Sequence, residues 1–139
     1  DCDLRRSAMH RIFHVLNETG LTNILVEGTD LGTIIQEVGI PNLHILTSGP
    51  KPPNPSELLG SVRMQALLQQ VSEVYDTVIL DVPPVLPVSD ALVISKFTDG
   101  IIYVVRYGHI ANDLVARAKA DIQKVGARIL GVVINVLTS

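Results

Sequence analysis

The sequence predicts an α/β fold, a parallel sheet with helices on both faces. From Pro55 onward, segments of helical periodicity alternate with short apolar runs. The runs at 77–81, 101–106 and 129–136 are continuously apolar rather than alternating, the pattern of strands buried on both faces. Helices covering a parallel sheet satisfy both observations. A chain of 139 residues can bury one core, and 47% apolar with 18% charged residues is a compact rather than a disordered composition.

Met9, Ile12, Phe13 and Leu16 fall at i, i+3, i+4 and i+7, one face of a helix with Ser7 as N-cap and Gly20 as its end. Residues 22–26 read as a short helical turn and 31–38 as another. NLHILTSGP (42–50) has the alternation and turn formers of a short strand. In KPPNPSELL (51–59), Asn54, Pro55 and Glu57 occupy the N-cap, N1 and N3 places of a capping box. Leu58, Val62, Met64, Leu67, Leu68, Val71 and Val74 give the helix that follows a broad apolar stripe. The strand at 77–81 ends in Asp81, and Pro83 and Pro84 then bar further pairing. Ser89 caps a helix over 90–97. A strand follows at 101–106. A helix spans 112–125, with Leu114, Val115, Ala118, Ile122 and Val125 inward and Gly126 as its stop. The strand at 129–136 closes the pattern.

Several function classes recede. A net charge of −3 disfavours nucleic acid, or an anionic membrane surface, as the main partner. The single cysteine, Cys2, excludes an internal disulfide and points to a reducing compartment. No apolar run reaches the roughly 20 residues of a membrane helix, and no signal peptide is visible. The opening DCDLRR is charged and reads as the middle of a longer protein.

Asp81 is the first candidate for chemistry. Ligands of open parallel sheets bind beyond the carboxyl ends of strands, and a carboxylate there can hold Mg²⁺ through water beside nucleotide phosphates. A cap for the following turn is the alternative. Asp1 and Asp3, two residues apart, can face one pocket if DCDLRR leaves a strand end, and Arg5 and Arg6 can hold phosphate or a partner's carboxylates. A solvated terminus is the alternative there. His10 and His14 have helical metal spacing but lack a third ligand. Cys2, between two carboxylates, is a poor nucleophile. Ser89 and Asp90 read as a helix cap, and KPPNPSELL as a connector rather than a proline-recognition motif.

DCDLRR, GLTNIL, LHILTSGPKPPNPSELL, YDTVILDVPPVLPVSDA, DGIIYVVRYG and ILGVVIN occur in the order seen in bacterial tyrosine kinases of the exopolysaccharide and capsule systems. The chain resembles that family over nearly its whole length. The resemblance implies a P-loop NTPase-like, Rossmann-like three-layer fold, related to chromosome- and septum-positioning ATPases. VILDVPP is similar to the family's Walker B segment, so Asp81 would orient Mg²⁺ and its waters. DCDLRR is similar to a second Walker A-like segment: Asp3 would assist with Mg²⁺, and Asp1 would serve as base for a tyrosine hydroxyl. Arg5 and Asn135 would contact ATP, with Asn135 at the adenine.

The departures are specific. No G-x-x-x-x-G-K-[ST] motif occurs, so the phosphate cradle and its lysine are missing. Ser7 replaces the proline usual after the two arginines. Of the family's C-terminal tyrosine cluster nothing is present; the tyrosines are Tyr75, Tyr103 and Tyr107. The expectation is therefore that residues 1–139 form a partial kinase domain, lacking the N-terminal P-loop strand and the tail, and inactive alone. The parent would be an ATP- and Mg²⁺-dependent tyrosine kinase regulating polysaccharide synthesis and export. It would sit in the cytoplasm at the inner face of the membrane through a partner or a fused segment. A membrane polysaccharide co-polymerase would activate it, tyrosine-containing proteins would be its substrates, and it would be a homo-oligomer that binds no nucleic acid. Two other readings stay open: a positioning-type ATPase of the same superfamily, and a non-catalytic kinase-like assembly module.

Overall fold

A computed structural model of the chain describes residues 1–108 and 111–136. It has two compact units, Asp1–Pro83 and Pro84–Ser139.

In the first unit, helix α1 covers only Met9–Ile12, against the expected start at Ser7 and end at Gly20. Ala8, not Ser7, is its N-cap. Half of the expected apolar face is left uncovered, with Ile12 64% and Leu16 70% exposed, so little packing sustains a longer helix. Gly20 starts the next helix instead, α2 (Leu21–Glu27), where the Asn23 Oδ1 accepts from the Gly20 amide at 2.9 Å. A Cβ on Gly20 would stand 2.3 Å from the Gly49 nitrogen and the Thr47 oxygen, so the two backbones meet only because this residue is glycine.

Helix α3 (Leu31–Ile34) is capped by the Asp30 carboxylate, which accepts from the Gly32 amide. It stops short of the expected 31–38 because the chain turns into strand β1 (Gln36–Glu37). Strand β1 pairs antiparallel with β2 (His44–Ile45), all that forms of the expected 42–50 strand. The Gln36 side-chain amide clasps the Leu16 backbone, donating to its carbonyl and accepting from its N–H.

Helix α4 (Pro55–Leu59) has Pro55 in its first turn, as expected. Asn54 makes no capping bond, however; its amide donates to the Glu57 carboxylate at 2.7 Å. The chain breaks at Gly60, and Ser61 restarts it as α5 (Val62–Val74), its Oγ accepting from the Met64 amide. One expected helix is thus two. Helices α2, α4 and α5 pack on one another, and Leu21, Leu25, Leu59, Met64 and Leu67 of these helices are buried. Val62 and Val74, counted in the stripe, are exposed.

Residues 77–81 do not form the expected buried strand. One backbone bond reaches the segment, from the Cys2 amide to the Asp81 carbonyl at 2.8 Å, and Ile79 is 83% exposed. A strand needs a neighbour bonded along its length, and no described residue supplies one here.

In the second unit, α6 (Asp90–Ile94) runs into a single 3₁₀ turn, Ser95–Phe97, together filling the expected 90–97. Ser89 is the N-cap by position without a side-chain capping bond. Strand β3 (Ile101–Arg106), helix α7 (Asn112–Lys124) and strand β4 (Ile129–Asn135) lie within a residue of expectation. Strands β3 and β4 are parallel, in register from Ile102 opposite Gly131 to Arg106 opposite Asn135. The α/β class therefore stands, but burial on both faces does not. Ile102 and Val104 are exposed, and so is β4 from Leu130 onward. The described sheets have two strands each, so the described residues do not build the expected layer of several strands between helices.

Candidate functional site

The segment DCDLRR links two distant parts of the first unit. The Asp1 nitrogen donates to the Leu46 carbonyl and the Cys2 amide to the Asp81 carbonyl, each at 2.8 Å. The main chain thereby ties the backbone of Cys2, which lies between Asp1 and Asp3, to that of Asp81. Asn135 does not join them within this unit; it ends β4 in the second unit and is exposed.

The three carboxylates differ in how much bonding capacity remains. Asp1 accepts from the Asp3 amide through Oδ1 (3.2 Å) and from the Ala8 and Met9 amides through Oδ2 (both 3.1 Å). Three of about four lone-pair sites are thus taken, and the carboxylate caps α1. Asp3 accepts from the Arg5 and Arg6 amides through Oδ1, at 3.1 and 2.9 Å, leaving Oδ2 without a protein donor among the described residues. Asp81 is exposed, and no described residue bonds its side chain. The open carboxylate oxygens are therefore those of Asp81 and the second oxygen of Asp3. The described residues include no ready-made group of three His, Cys, Asp or Glu ligands.

Cys2 points away from any such role. Burial pushes its thiol up to about 11, and the Asp81 carboxylate pushes in the same direction. The sequence reading had credited the flanking carboxylates; burial is the larger cause. Arg5 is committed to the protein, its guanidinium donating to the Ser56 Oγ of α4 at 3.3 Å. His10 and His14 lose their helical spacing, because α1 ends at Ile12 and His14 has a φ of 53°.

One polar cluster had no signal in the sequence. His44 Nδ1 lies 2.7 Å from the Tyr75 hydroxyl, with the rings edge to face at 5.4 Å, and Glu37 Oε1 lies 3.8 Å from His44 Nε2. Its members are dispersed from residue 37 to residue 75, so no local pattern could group them.

No family model matches the chain. It is 36% identical over 135 residues to the tyrosine-protein kinase YwqD of Bacillus subtilis, covering 97% of this chain and 57% of that protein. The chain thus spans a little over half the length of this curated relative. Among solved structures it is similar to the chimerical protein CapA2B2 (TM-score 0.95, 40% identity, all of this chain and 62% of that one). It is also similar to the kinase domain of VpsO (TM-score 0.94, 32% identity, 99% of this chain and 68% of that one).

Proposed function

Because the chain belongs to the bacterial tyrosine-kinase family, we propose that it is the part of a kinase domain that carries the metal-facing carboxylates of ATP-dependent tyrosine phosphorylation. The observation that carries this reading is Asp81. It is an exposed carboxylate, open to a ligand, tied through its own carbonyl to the segment that bears Asp1 and Asp3.

Hard carboxylate oxygens suit Mg²⁺, which keeps most of its waters and takes one or two protein carboxylates beside phosphate. Asp81 and the second oxygen of Asp3 are of that type, so these residues would hold the ion and its waters. Bound there, Mg²⁺ neutralises charge on the phosphates. Asp1 holds the opening of α1 and keeps one lone-pair direction for a substrate hydroxyl. Asn135 is assigned to the adenine by family resemblance. The phosphate cradle and lysine, absent from these 139 residues, would come from sequence outside them, completing a P-loop NTPase-like three-layer domain. The 139-residue chain by itself would be inactive.

In the same reading, the whole protein regulates exopolysaccharide or capsule synthesis as a homo-oligomer at the inner face of the cell membrane. A membrane co-polymerase activates it, and tyrosine-bearing proteins are its substrates. No described helix is long and apolar enough to cross a membrane, so attachment would run through a partner or a segment elsewhere in the protein.

The test is Asp81→Asn in the full-length gene product. Tyrosine phosphorylation with MgATP is expected to fall by about two orders of magnitude or more, with circular dichroism unchanged. Near-normal turnover would make Asp81 a turn residue only. ATP hydrolysis without phosphotyrosine would instead identify a positioning-type ATPase.

A further inference from the structure

We propose that Arg5 is a positioning residue for the metal-facing carboxylate of Asp3, anchored by Ser56 of α4, rather than a residue that touches ATP. The inference rests on the kinase reading above and deepens it, since family resemblance alone gave Arg5 to the nucleotide.

A carboxylate bonded through one oxygen has the direction of its other oxygen fixed. Asp3 Oδ1 accepts from the amides of Arg5 at 3.1 Å and Arg6 at 2.9 Å, a side chain bonding the backbone two and three residues on. The turn formed by residues 3–6 therefore sets where Oδ2 points. It can aim that oxygen only if the turn itself is held, and it is held from two sides. Ahead of Arg5, Cys2 and Leu4 flank Asp3 and are 3% and 2% exposed, and the Cys2 amide is bonded to the Asp81 carbonyl.

The second hold is the Arg5 side chain. Its guanidinium reaches a residue 51 places along the chain, donating to the Ser56 Oγ at 3.3 Å in a partly buried setting. Arg6 returns its amide to the same Asp3 oxygen but has an exposed side chain. Of the two arginines, Arg5 is thus the one that ties the turn to the rest of the unit.

Ser56 is well placed to serve as the anchor. It follows Pro55 in the first turn of α4, a helix that buries Pro55 and Leu59 and packs on α2 and α5. Its hydroxyl takes one of the five guanidinium donors, a bond that directs the side chain without neutralising its charge. A chain of bonds therefore runs from the helical core through Ser56 and Arg5 to Oδ1 of Asp3, and leaves Oδ2 to the ion. Groups that bond a metal ligand rather than the metal are worth about tenfold or more in affinity.

The experiment titrates the full-length gene product, in the presence of ADP, with Mn²⁺, a stand-in for Mg²⁺ whose binding is read directly by electron paramagnetic resonance. Asp3→Asn and Asp81→Asn are expected to weaken Mn²⁺ binding most. Ser56→Ala is expected to weaken it about tenfold, and Ser56→Thr, which keeps the hydroxyl, to restore it. Arg5→Lys, which keeps the charge but not the guanidinium, is expected to behave like Ser56→Ala, and decides the matter should Ser56→Ala fail to fold. ADP affinity measured without metal is expected to stay unchanged in both. Unchanged Mn²⁺ affinity in Ser56→Ala and Arg5→Lys, with Asp3→Asn weakened, would overturn the proposal and leave the kinase reading standing, even if melting temperatures fell. Loss of metal-free ADP affinity in Arg5→Lys would also overturn it and return Arg5 to the nucleotide. Unchanged Mn²⁺ affinity in both Asp3→Asn and Asp81→Asn would overturn the metal-facing reading of the carboxylates, and this proposal with it.

Discussion

The two units of the chain contrast in an instructive way. In the second, β3, α7 and β4 lie almost where their sequence patterns put them, yet most of β4 and alternate residues of β3 are exposed. In the first, helix limits were misjudged and expected strands shrank or vanished, yet Leu4, Leu21, Leu59, Met64 and Thr47 are all at most 2% exposed. Regular periodicity reports what a segment can become. Burial depends on what arrives to cover it. The first unit builds its core from short helices and irregular chain, locked by side chains bonding the backbone. The Asn17 amide accepts from the Gly49 N–H and donates to the Gly49 carbonyl, and Thr47 donates to the Thr19 carbonyl.

The largest expected difference between the units is in packing energy. Leu59→Ala, at a fully buried site, is expected to cost about 2–5 kcal/mol. Ile134→Ala, at 63% exposure on β4, is expected to cost well under about 1 kcal/mol. Urea unfolding of both variants decides the matter; equal losses would mean that β4 is covered in solution.

The next effect belongs to Cys2. Its thiol is neutral when protonated, and burial holds its pKa near 11 against an ordinary 9. Its contribution is complete below pH 9, where both folded and unfolded thiols are protonated. It is lost as pH rises from 9 to 11, where only the unfolded thiol ionises. The full loss is about 2–3 kcal/mol. Urea midpoints across that range should fall more steeply for the native sequence than for Cys2→Ala; parallel slopes would show that the thiol is solvated.

The smallest expected effect separates two glycines. Gly20→Ala pushes a methyl into the Thr47 and Gly49 backbone and should destabilise by about 1–3 kcal/mol. Gly131→Ala on β4 meets no heavy atom within 4 Å and should be neutral or slightly stabilising. Paired thermal melts test this, and a large loss at Gly131 would place a neighbour against β4.

These differences explain what was legible in the sequence. The α/β class and the later elements could be read because Ile101–Arg106 and the stretch after Gly126 carry their pattern locally. That DCDLRR meets the segment ending in Asp81 could be read only through family resemblance, since the contact joining Cys2 to Asp81 crosses almost the whole unit. The capping duty of Asp1 has no local signal, because Ser7 is the stronger cap by sequence, and a carboxylate seven residues from Ala8 outcompetes it. The Glu37–His44–Tyr75 cluster had no local signature at all.

The stitching of residues 1 and 2 to Leu46 and Asp81 has a consequence for how the molecule comes to exist. Both are long-range closures, and each costs the entropy of closing its loop. During synthesis, the amide of Cys2 emerges from the ribosome some eighty residues ahead of the carbonyl it will bond. Until Asp81 has followed, the segment can make its own short turns and the bond from Asp1 to Leu46, but not the bond from Cys2 to Asp81. The closure between Cys2 and Asp81 therefore cannot form until nearly all of the first unit has been made, and a nascent chain stalled before Asp81 lacks it.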